Sequence, residues 1–184
     1  MTEQNKVTMW TAQTDRVLKT LEEDKVYYVK KRYVDAKYQE TAWSFRIAYQ
    51  FLADEMAARI PQPSGAESPV WLYWDPGWAM SGPGDHLMKL EIPWEEVLLF
   101  DLRKWNRILN LSFVGTAKEQ AEFEKELDRQ GISAASEVFE KPFYPMLKQK
   151  IMKSWKNLFD ESTFEEKYVQ GAVWYLKKEW ICRE

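Results

Sequence analysis

Apolar and polar side chains alternate near the start of the chain and then change to a helical spacing. The stretch VTMWTAQT (7–14) alternates along most of its length and predicts a first strand. The next ten residues, DRVLKTLEED, have apolar side chains at helical spacing, and Thr14 before them is a suitable N-cap. Residues 25–34, KVYYVKKRYV, are rich in side chains that favour strands, so we predict an extended segment there.

The longest helical pattern runs from Gln39 to Ile60 and is followed by Pro61, which ends it. It contains two rows of apolar residues, the first formed by Ala42, Phe45, Tyr49, Leu52 and Met56 and the second by Trp43, Ile47 and Phe51. Residues three and four apart lie on the same face of a helix. Two such rows predict a helix that is buried on two sides.

The middle third of the chain has the pattern of a sheet. Three apolar runs, at 70–74, 86–93 and 97–101, are separated by glycine, proline or acidic breaks. We predict that the first two form a hairpin across the loop DPGWAMSGPGD. After Asp101 the apolar spacing becomes helical again.

The last third is mostly helical, and it returns to a strand near the end. A strongly charged helix is predicted at 117–131, with Gly131 just after its last turn, and residues 168–176 predict a returning strand. Strands and helices follow one another without a regular βαβ order. The sequence therefore predicts one α+β domain over residues 1–184, with a mixed or antiparallel sheet of about five to six strands packed by helices.

Composition limits the class of function. A net charge of −3, with both signs interspersed, argues against general binding of duplex DNA. The single cysteine, Cys182, and the single histidine, His86, exclude a disulfide framework and a zinc site, and we expect no metal. The polar start MTEQNK and the lack of a long apolar run indicate a soluble, cytoplasmic protein with no membrane partner.

Two charged residues are candidates for a site. Asp101 follows an apolar run and precedes a helix, so it is either the N-cap of that helix or a carboxylate at the end of a buried strand. Arg46 lies among aromatic and aliphatic residues on the long helix, where a buried arginine requires an anionic partner. That partner is either a carboxylate of the chain or the phosphate or carboxylate of a ligand.

Amides and aromatic rings supply further candidates. Gln13 and Gln170 each lie in an otherwise apolar strand, where a buried amide needs hydrogen-bond partners. In the tryptophan-rich stretch 70–80, the inner rings are predicted to be core. Trp74 at the strand end and Trp78 beyond the Asp-Pro-Gly break remain candidates for stacking on a planar ligand.

Five blocks of the sequence resemble a known family. The blocks MWTAQT, VWLYW, LEIPWEEVLLFDLRKWNRILN, SWKNLFDE and VQGAVWYL, in this order and over nearly the whole chain, are similar to the bacterial family catalogued as domain of unknown function 3841. The resemblance implies membership of that family, for which no activity is assigned.

The order of the elements also resembles that of small ADP-ribosyltransferase-like proteins, which bind NAD in a cleft between two half-sheets. That resemblance implies that Gln170 handles the ribose from the late strand, with Thr11 or Gln13 acting from the first strand. This chain departs from the pattern, because its first strand has no His or Arg and its late strand has no Glu. An amide stabilises an oxocarbenium-like charge less well than a carboxylate does.

Two hypotheses of function follow. In the first, the protein is an ADP-ribosyltransferase-like NAD- or nucleotide-binding domain, in which Gln170 and Gln13 are catalytic and Arg46, Trp74, Trp78, Asp101 and Thr11 bind the ligand. In the second, it is a non-catalytic module that binds a protein or a nucleic acid. The first requires Arg46, Trp74 and both amides to meet in one cavity.

Overall fold

The computed structural model describes residues 5–30, 42–79 and 82–182. Its strands are β1 (Lys6–Thr14), β2 (Val26–Tyr27), β3 (Val70–Tyr73), β4 (Asp85–Pro93), β5 (Leu98–Asp101), β6 (Val169–Val173) and β7 (Leu176–Lys177). Its α-helices are α1 (Asp15–Asp24), α2 (Ala42–Ala57), α3 (Leu102–Leu109), α4 (Ala117–Arg129), α5 (Glu137–Glu140) and α6 (Pro145–Ser154). A 3-10 segment, Trp155–Phe159, continues directly from α6.

The strands form a five-stranded sheet in the order β4-β1-β3-β6-β5 and a two-stranded sheet of β2 and β7. Every strand pair in both sheets is antiparallel. The predicted α+β class, with an antiparallel sheet packed by helices, is confirmed.

The predicted hairpin between the runs 70–74 and 86–93 is wrong. β1 lies between β3 and β4, and it pairs with β4 from Lys6 opposite Pro93 to Thr14 opposite Asp85. A nine-residue strand satisfies its backbone N–H and C=O groups better against an equally long partner than against the four residues of β3.

Each face of the large sheet carries its own core. The face here called the α1 face packs Val7, Met9, Leu72 and Leu90 with Val17 and Leu21 of α1. The opposite face, here called the helical face, packs Phe100 and Ala172 against α2, α3 and the C-terminal helices. On the α1 face, the side chain of Met9 in β1 lies so close to β6 that a Cβ on Gly171 would lie 2.9 Å from its sulfur.

Local signals set the ends of several helices, as predicted at Thr14 and Gly131. Thr14 occupies the N-cap position of α1, although its side chain makes no capping hydrogen bond. Thr116 and Glu119 form a complete capping box at the start of α4. Gly131 follows α4 with φ of +68°, a left-handed conformation that suits glycine, as predicted for a residue just after the helix.

The prediction that α2 is buried on two sides is only half confirmed. In its first row, Leu52 and Met56 are fully buried. In its second row, Phe51 packs against the rings of Trp155 and Phe159, but Trp43 is exposed. The second row is therefore covered only where the 3-10 segment reaches it.

The predicted extended segment at 25–34 is confirmed up to Val29, which bridges to Ser68. Residues 31–34, and residues 39–41 of the predicted long helix, lie outside the described residues. No described helix is both long and apolar enough to cross a membrane.

Candidate functional site

A row of five side chains crosses the large sheet on its helical face. The register places Lys89 of β4 opposite Trp10 of β1, Trp10 opposite Tyr73 of β3, Tyr73 opposite Gln170 of β6, and Gln170 opposite Phe100 of β5. Directly opposite residues of antiparallel strands point to the same face. We call these five residues the cross-strand row.

Burial increases steadily along the cross-strand row. Lys89 is exposed, Trp10 and Tyr73 are half-buried, and Gln170 and Phe100 are buried. The ammonium of Lys89 lies 5.9 Å from the ring centre of Trp10, within the range of a cation–π contact. The row therefore leads from a cation at the surface, past two aromatic rings, to an amide inside the protein.

Gln170 has an unsatisfied acceptor. Its side chain is 3% exposed. Within the described part of the chain, its Oε1 is the one buried side-chain oxygen or nitrogen with no hydrogen-bond partner. A buried carbonyl without a donor costs about 1–3 kcal/mol, and buried polar atoms in proteins usually have partners. No group in the described part of the chain therefore satisfies the acceptor capacity of Gln170 Oε1.

An aromatic cluster borders the buried end of the row. The rings of Trp71, Phe100 and Trp105 are mutual neighbours, and Tyr49 of α2 contacts both tryptophans at 5.1 and 5.8 Å between ring centres. Rings packed at these distances and tilts stabilise one another beyond the area that they bury. The cluster fixes Phe100, and with it one wall beside Gln170.

β1 and β3 separate beyond Trp10 and Tyr73, and a cleft of about 350 Å³ opens between them. Thr11 and Gln13 line it. The hydroxyl of Thr11 donates to the carbonyl of Trp71 at 3.0 Å, and Gln13 Nε2 donates to the Thr11 oxygen at 2.8 Å. The first bond links the separated strands, and the second, within β1, orients the Thr11 hydroxyl.

The chemistry of this cleft does not suit a dinucleotide. Among the residues that the structure describes, no lysine or arginine lines it, and the one charged group is the carboxylate of Asp85. A pyrophosphate requires cations or a cluster of backbone N–H groups. The volume also lies at the small end of the range for ligand sites.

Asp101 caps α3. Its carboxylate accepts hydrogen bonds from the backbone N–H groups of Arg103 and Lys104, and the guanidinium of Arg103 bonds it as well. Burial alone would raise the pKa of Asp101, but the hydrogen bonds and charge of Arg103 outweigh burial, so this pKa lies below its ordinary value. Of the two roles considered for Asp101, the structure shows the N-cap with an ion pair.

Trp74 and Trp78 lie at the end of the sheet where β3 stops. Trp74 Nε1 donates to Glu166 Oε1 at 3.0 Å, and the half-buried Trp74 ring neighbours that of Trp94. Trp78 is exposed, and its ring centre lies 6.0 Å from that of Tyr168. A cleft lined by Trp74 and by the acidic residues Asp75, Glu165 and Glu166 lies here.

Arg46 is exposed on α2, so the expectation that it is buried is wrong. The apolar row of α2 that contains Leu52 and Met56 faces the core, and Arg46 is not part of that row. Arg46 lines a groove of about 1120 Å³ between α2 and α6, together with Ile47 and Phe51 of its own helix and Met146 and Met152 of α6. This groove is distinct from both clefts beside the sheet.

Comparison with known proteins adds one relationship. The model of the family described as Domain of unknown function (DUF3841) matches residues 8–182. The chain belongs to this family. The resemblance seen in the five sequence blocks is confirmed. No curated protein and no solved structure matches the chain significantly, so the analogy of layout to ADP-ribosyltransferase-like proteins gains no support.

The predicted site residues of this DUF3841 chain do not meet in one place. Thr11 and Gln13 share the α1 face of β1 with Met9, whereas Gln170 lies on the helical face of β6. β3 also separates the two strands. Trp74, Trp78 and Asp101 lie at the end of the sheet, and Arg46 lies in the groove.

Sequence reasoning selected Gln170 but missed its neighbours in the cross-strand row. One feature of the sequence indicates Trp10 as a candidate. It is an aromatic residue at a position where the alternation of the strand calls for a polar one. Tyr73 was assigned to the core, and Lys89 was not singled out. No three His, Cys, Asp or Glu side chains within the ranges 5–30, 42–79 and 82–182 are grouped so that they could hold a metal ion.

Proposed function

We propose that this DUF3841 protein is a binding domain for a nucleotide-like ligand, and that the ligand lies along the cross-strand row. The observation that carries the proposal is the unsatisfied Oε1 of Gln170. Its natural complement is an N–H donor, such as the exocyclic amino group of adenine or the carboxamide of nicotinamide.

Aromatic rings on the way to Gln170 support a planar ligand. Trp10 and Tyr73 are half-buried and share the face of Gln170. Each offers a ring on which a base can stack, which contributes about 1–3 kcal/mol per base in single-stranded nucleic-acid complexes. Stacking orients the ring, and the buried amide then selects rings that carry a donor.

The exposed end of the row supports an anionic group on the same ligand. Lys89 and Gln170 are three strands apart, which is roughly 14 Å at the usual spacing of a sheet. This separation is comparable to the length of an extended mononucleotide. A phosphate near Lys89 would therefore be compatible with a base near Gln170.

The proposal assigns binding and no transfer step. Gln13 cannot act on the same ligand atom as Gln170, because the two amides lie on opposite faces of the sheet. NAD stays among the ligands to be tested, since both of its rings carry N–H donors. The residues that we assign to the ligand are Gln170, Tyr73, Trp10 and Lys89.

The test is a thermal-shift series with NAD, ADP-ribose, AMP, ATP and a short RNA. A ligand at 100 times its Kd should add about 2.7 kcal/mol to the free energy of unfolding. Gln170→Met should abolish the shift while the protein stays folded, and Lys89→Ala should weaken it. Gln13→Leu removes an amide from the other face and serves as the matched control.

Either of two results would refute the proposal. One is the absence of a shift with every nucleotide in the series. The other is a shift that Gln170→Met leaves intact, because the ligand would then bind elsewhere.

A second candidate function is protein binding. The exposed methionines of the groove between α2 and α6 favour it. Nucleic-acid binding by α6 and its 3-10 continuation is less favoured. Of the four lysines in that segment, Lys150 is already paired with Glu126 and Lys156 with Glu55.

A further inference from the structure

We propose that the groove between α2 and α6 is a docking site for an acidic amphipathic helix of a partner protein. This inference deepens the second candidate function and is independent of the cross-strand row. The residues that carry it are Ile47 and Phe51 on α2, and Met146, Lys148, Met152 and Lys153 on α6.

The groove has apolar walls that remain accessible. Met146 is 75% exposed and Met152 is 37% exposed on one wall, while the half-buried Ile47 and the buried Phe51 form the other. Methionine is unbranched and polarisable, so it adapts to the shape of a partner. Contiguous exposed apolar surface of this kind marks interaction sites on soluble proteins.

The dimensions of the groove suit a helix. α2 has 16 residues and α6 has 10, which correspond to roughly 24 and 15 Å of helix length. A helix of about three turns fits between walls of this length. Such a helix would place apolar residues at i, i+3, i+4 and i+7 against the thioethers and rings.

The charge around the groove selects an acidic partner. Lys148 and Lys153 border it, and neither forms an ion pair with any residue that the structure describes. The lining carboxylates are Glu55, which pairs with Lys156 and Arg59, and Asp54, which accepts a hydrogen bond from Gln50. The whole chain carries a net charge of −3, so this local excess of lysine is complementary to acidic side chains.

A second copy of the chain is a poor occupant. Three described helices carry a net charge of −2, but the four-residue α5 is too short to fill the groove. The other two, α1 and α4, already bury their apolar residues, which are Val17 and Leu21 in α1 and Phe123 and Leu127 in α4. Neither helix can present those residues to another groove without unfolding. A partner of different sequence is required.

The experiment is a display selection on the full chain. The probe is a library of 16-residue helix-forming peptides in which Glu, Lys, Ala, Leu and Phe occur equally at every variable position. Affinities of the selected peptides are then measured by fluorescence anisotropy against wild type and three variants. These are Met146→Ser with Met152→Ser, Lys148→Glu with Lys153→Glu, and Lys118→Glu as the matched charge control on α4.

We expect the selected peptides to be acidic and to carry apolar residues at i, i+3, i+4 and i+7. The double serine variant should lower their affinity about tenfold or more, because it removes the apolar contacts. The double glutamate variant should lower it about tenfold, with a larger loss at low salt. Lys118→Glu should leave affinity within about twofold, since Lys118 is not among the described residues that line the groove.

Several outcomes would overturn the proposal. Selected peptides that are basic, or that bind the double serine variant as well as wild type, would do so. So would a selection in which no peptide is enriched over the double serine variant. Self-association that the serine substitutions abolish would identify a second copy as the occupant. Because nucleotide shifts depend on Gln170, failure here would leave the cross-strand row unaffected.

Discussion

Trp10 of β1 and Tyr73 of β3 lie directly opposite each other, and they form the single paired position between these strands in the described chain. β1 otherwise pairs with β4, and β3 pairs with β6. The large sheet therefore consists of two parts that meet at this pair. The hydroxyl of Thr11 adds a second link, to the carbonyl of Trp71. Any ligand stacked on Trp10 and Tyr73 would lie across the junction.

Thr11→Val tests the second link. Valine keeps the shape of threonine but leaves the Trp71 carbonyl without its donor and Gln13 Nε2 without its acceptor. We expect a loss of about 1–3 kcal/mol in the free energy of unfolding, measured by urea denaturation.

Thr8→Val is the control for Thr11→Val, because Thr8 is an exposed position of the same strand. It should change the free energy of unfolding by less than about 0.5 kcal/mol. Equal effects of the two substitutions would show that the Thr11 bonds do not hold the strands together.

Gln170→Met should stabilise the free protein. Methionine has a similar length but no acceptor to satisfy, and the position is 3% exposed. Removing an unpaired buried carbonyl should raise the free energy of unfolding by about 1–2 kcal/mol. The same substitution should abolish the stabilisation by nucleotide. Stability and binding would then move in opposite directions, as they do where a polar group is kept for function.

A loss of stability in Gln170→Met would contradict this expectation. It would mean that the amide is satisfied in the free protein, for example by a buried water molecule. Gln62→Met is a suitable control, because Gln62 donates to the carbonyl of Ala66 through its amide. Removing that satisfied donor should destabilise the protein slightly.

Individual strands, helices and helix ends could be predicted from the sequence. The pleat of a strand and the turn of a helix repeat within a few residues, so the alternation in 7–14 and the helical spacing after it predicted β1 and α1. Capping signals act over one turn, and Gly131 was assigned correctly for that reason.

The order of the strands in the sheet could not be predicted from such local patterns. Whether β4 pairs with β3 or with β1 depends on the relative lengths of strands that are distant in sequence. Burial of α2 likewise depends on which later segment packs on it, and only the 3-10 segment at Trp155–Phe159 reaches its second row. Periodicity identifies an apolar face but does not show how much of that face a neighbour covers.

The candidate site illustrates the same limit. Gln13 and Gln170 were correctly noted as amides in apolar strands, but their separation onto opposite faces follows from register and strand order. Tyr73 comes beside Gln170 through the pairing of β3 with β6, and Lys89 joins the row only through three successive strand pairings. Such a row is visible only once the sheet is assembled.

Gly171→Ala should be strongly destabilising. The added Cβ would lie 2.9 Å from the sulfur of Met9 and 3.1 Å from a methyl carbon of Val97, inside a fully buried face. Overpacking of this kind costs about 1–3 kcal/mol. Urea denaturation of Gly171→Ala measures the cost.

Partial rescue by Met9→Ala in the same chain would assign the loss in Gly171→Ala to this contact. Each substitution alone should be less stable than wild type, and the double variant should be more stable than the sum of the two losses predicts. Additive losses would contradict the contact. Gly82→Ala is the control, because its Cβ would meet its nearest atom at 3.4 Å, an ordinary contact distance.

Asp101→Asn tests how the ion pair with Arg103 depends on pH. Asparagine is also a good N-cap, so the substitution removes the charge and keeps the cap. At pH 7 we expect a loss of about 2 kcal/mol, since the half-exposed guanidinium of Arg103 loses its buried anionic partner. Urea denaturation of both proteins between pH 7 and pH 2.5 provides the measurement.

The sign of the pH effect follows from the lowered pKa of Asp101 in the folded protein. A carboxyl whose pKa is lower when folded stabilises fully above its unfolded pKa of about 3.9, and this contribution is lost as pH falls through the folded value. The difference between wild type and Asp101→Asn should therefore be constant from pH 7 to about pH 5 and shrink below about pH 4. Glu165→Gln removes only the exposed carboxylate that pairs with Arg103, and it should cost less than about 1 kcal/mol. A difference for Asp101→Asn that stays the same down to pH 2.5 would show that the carboxylate charge does not stabilise the start of α3.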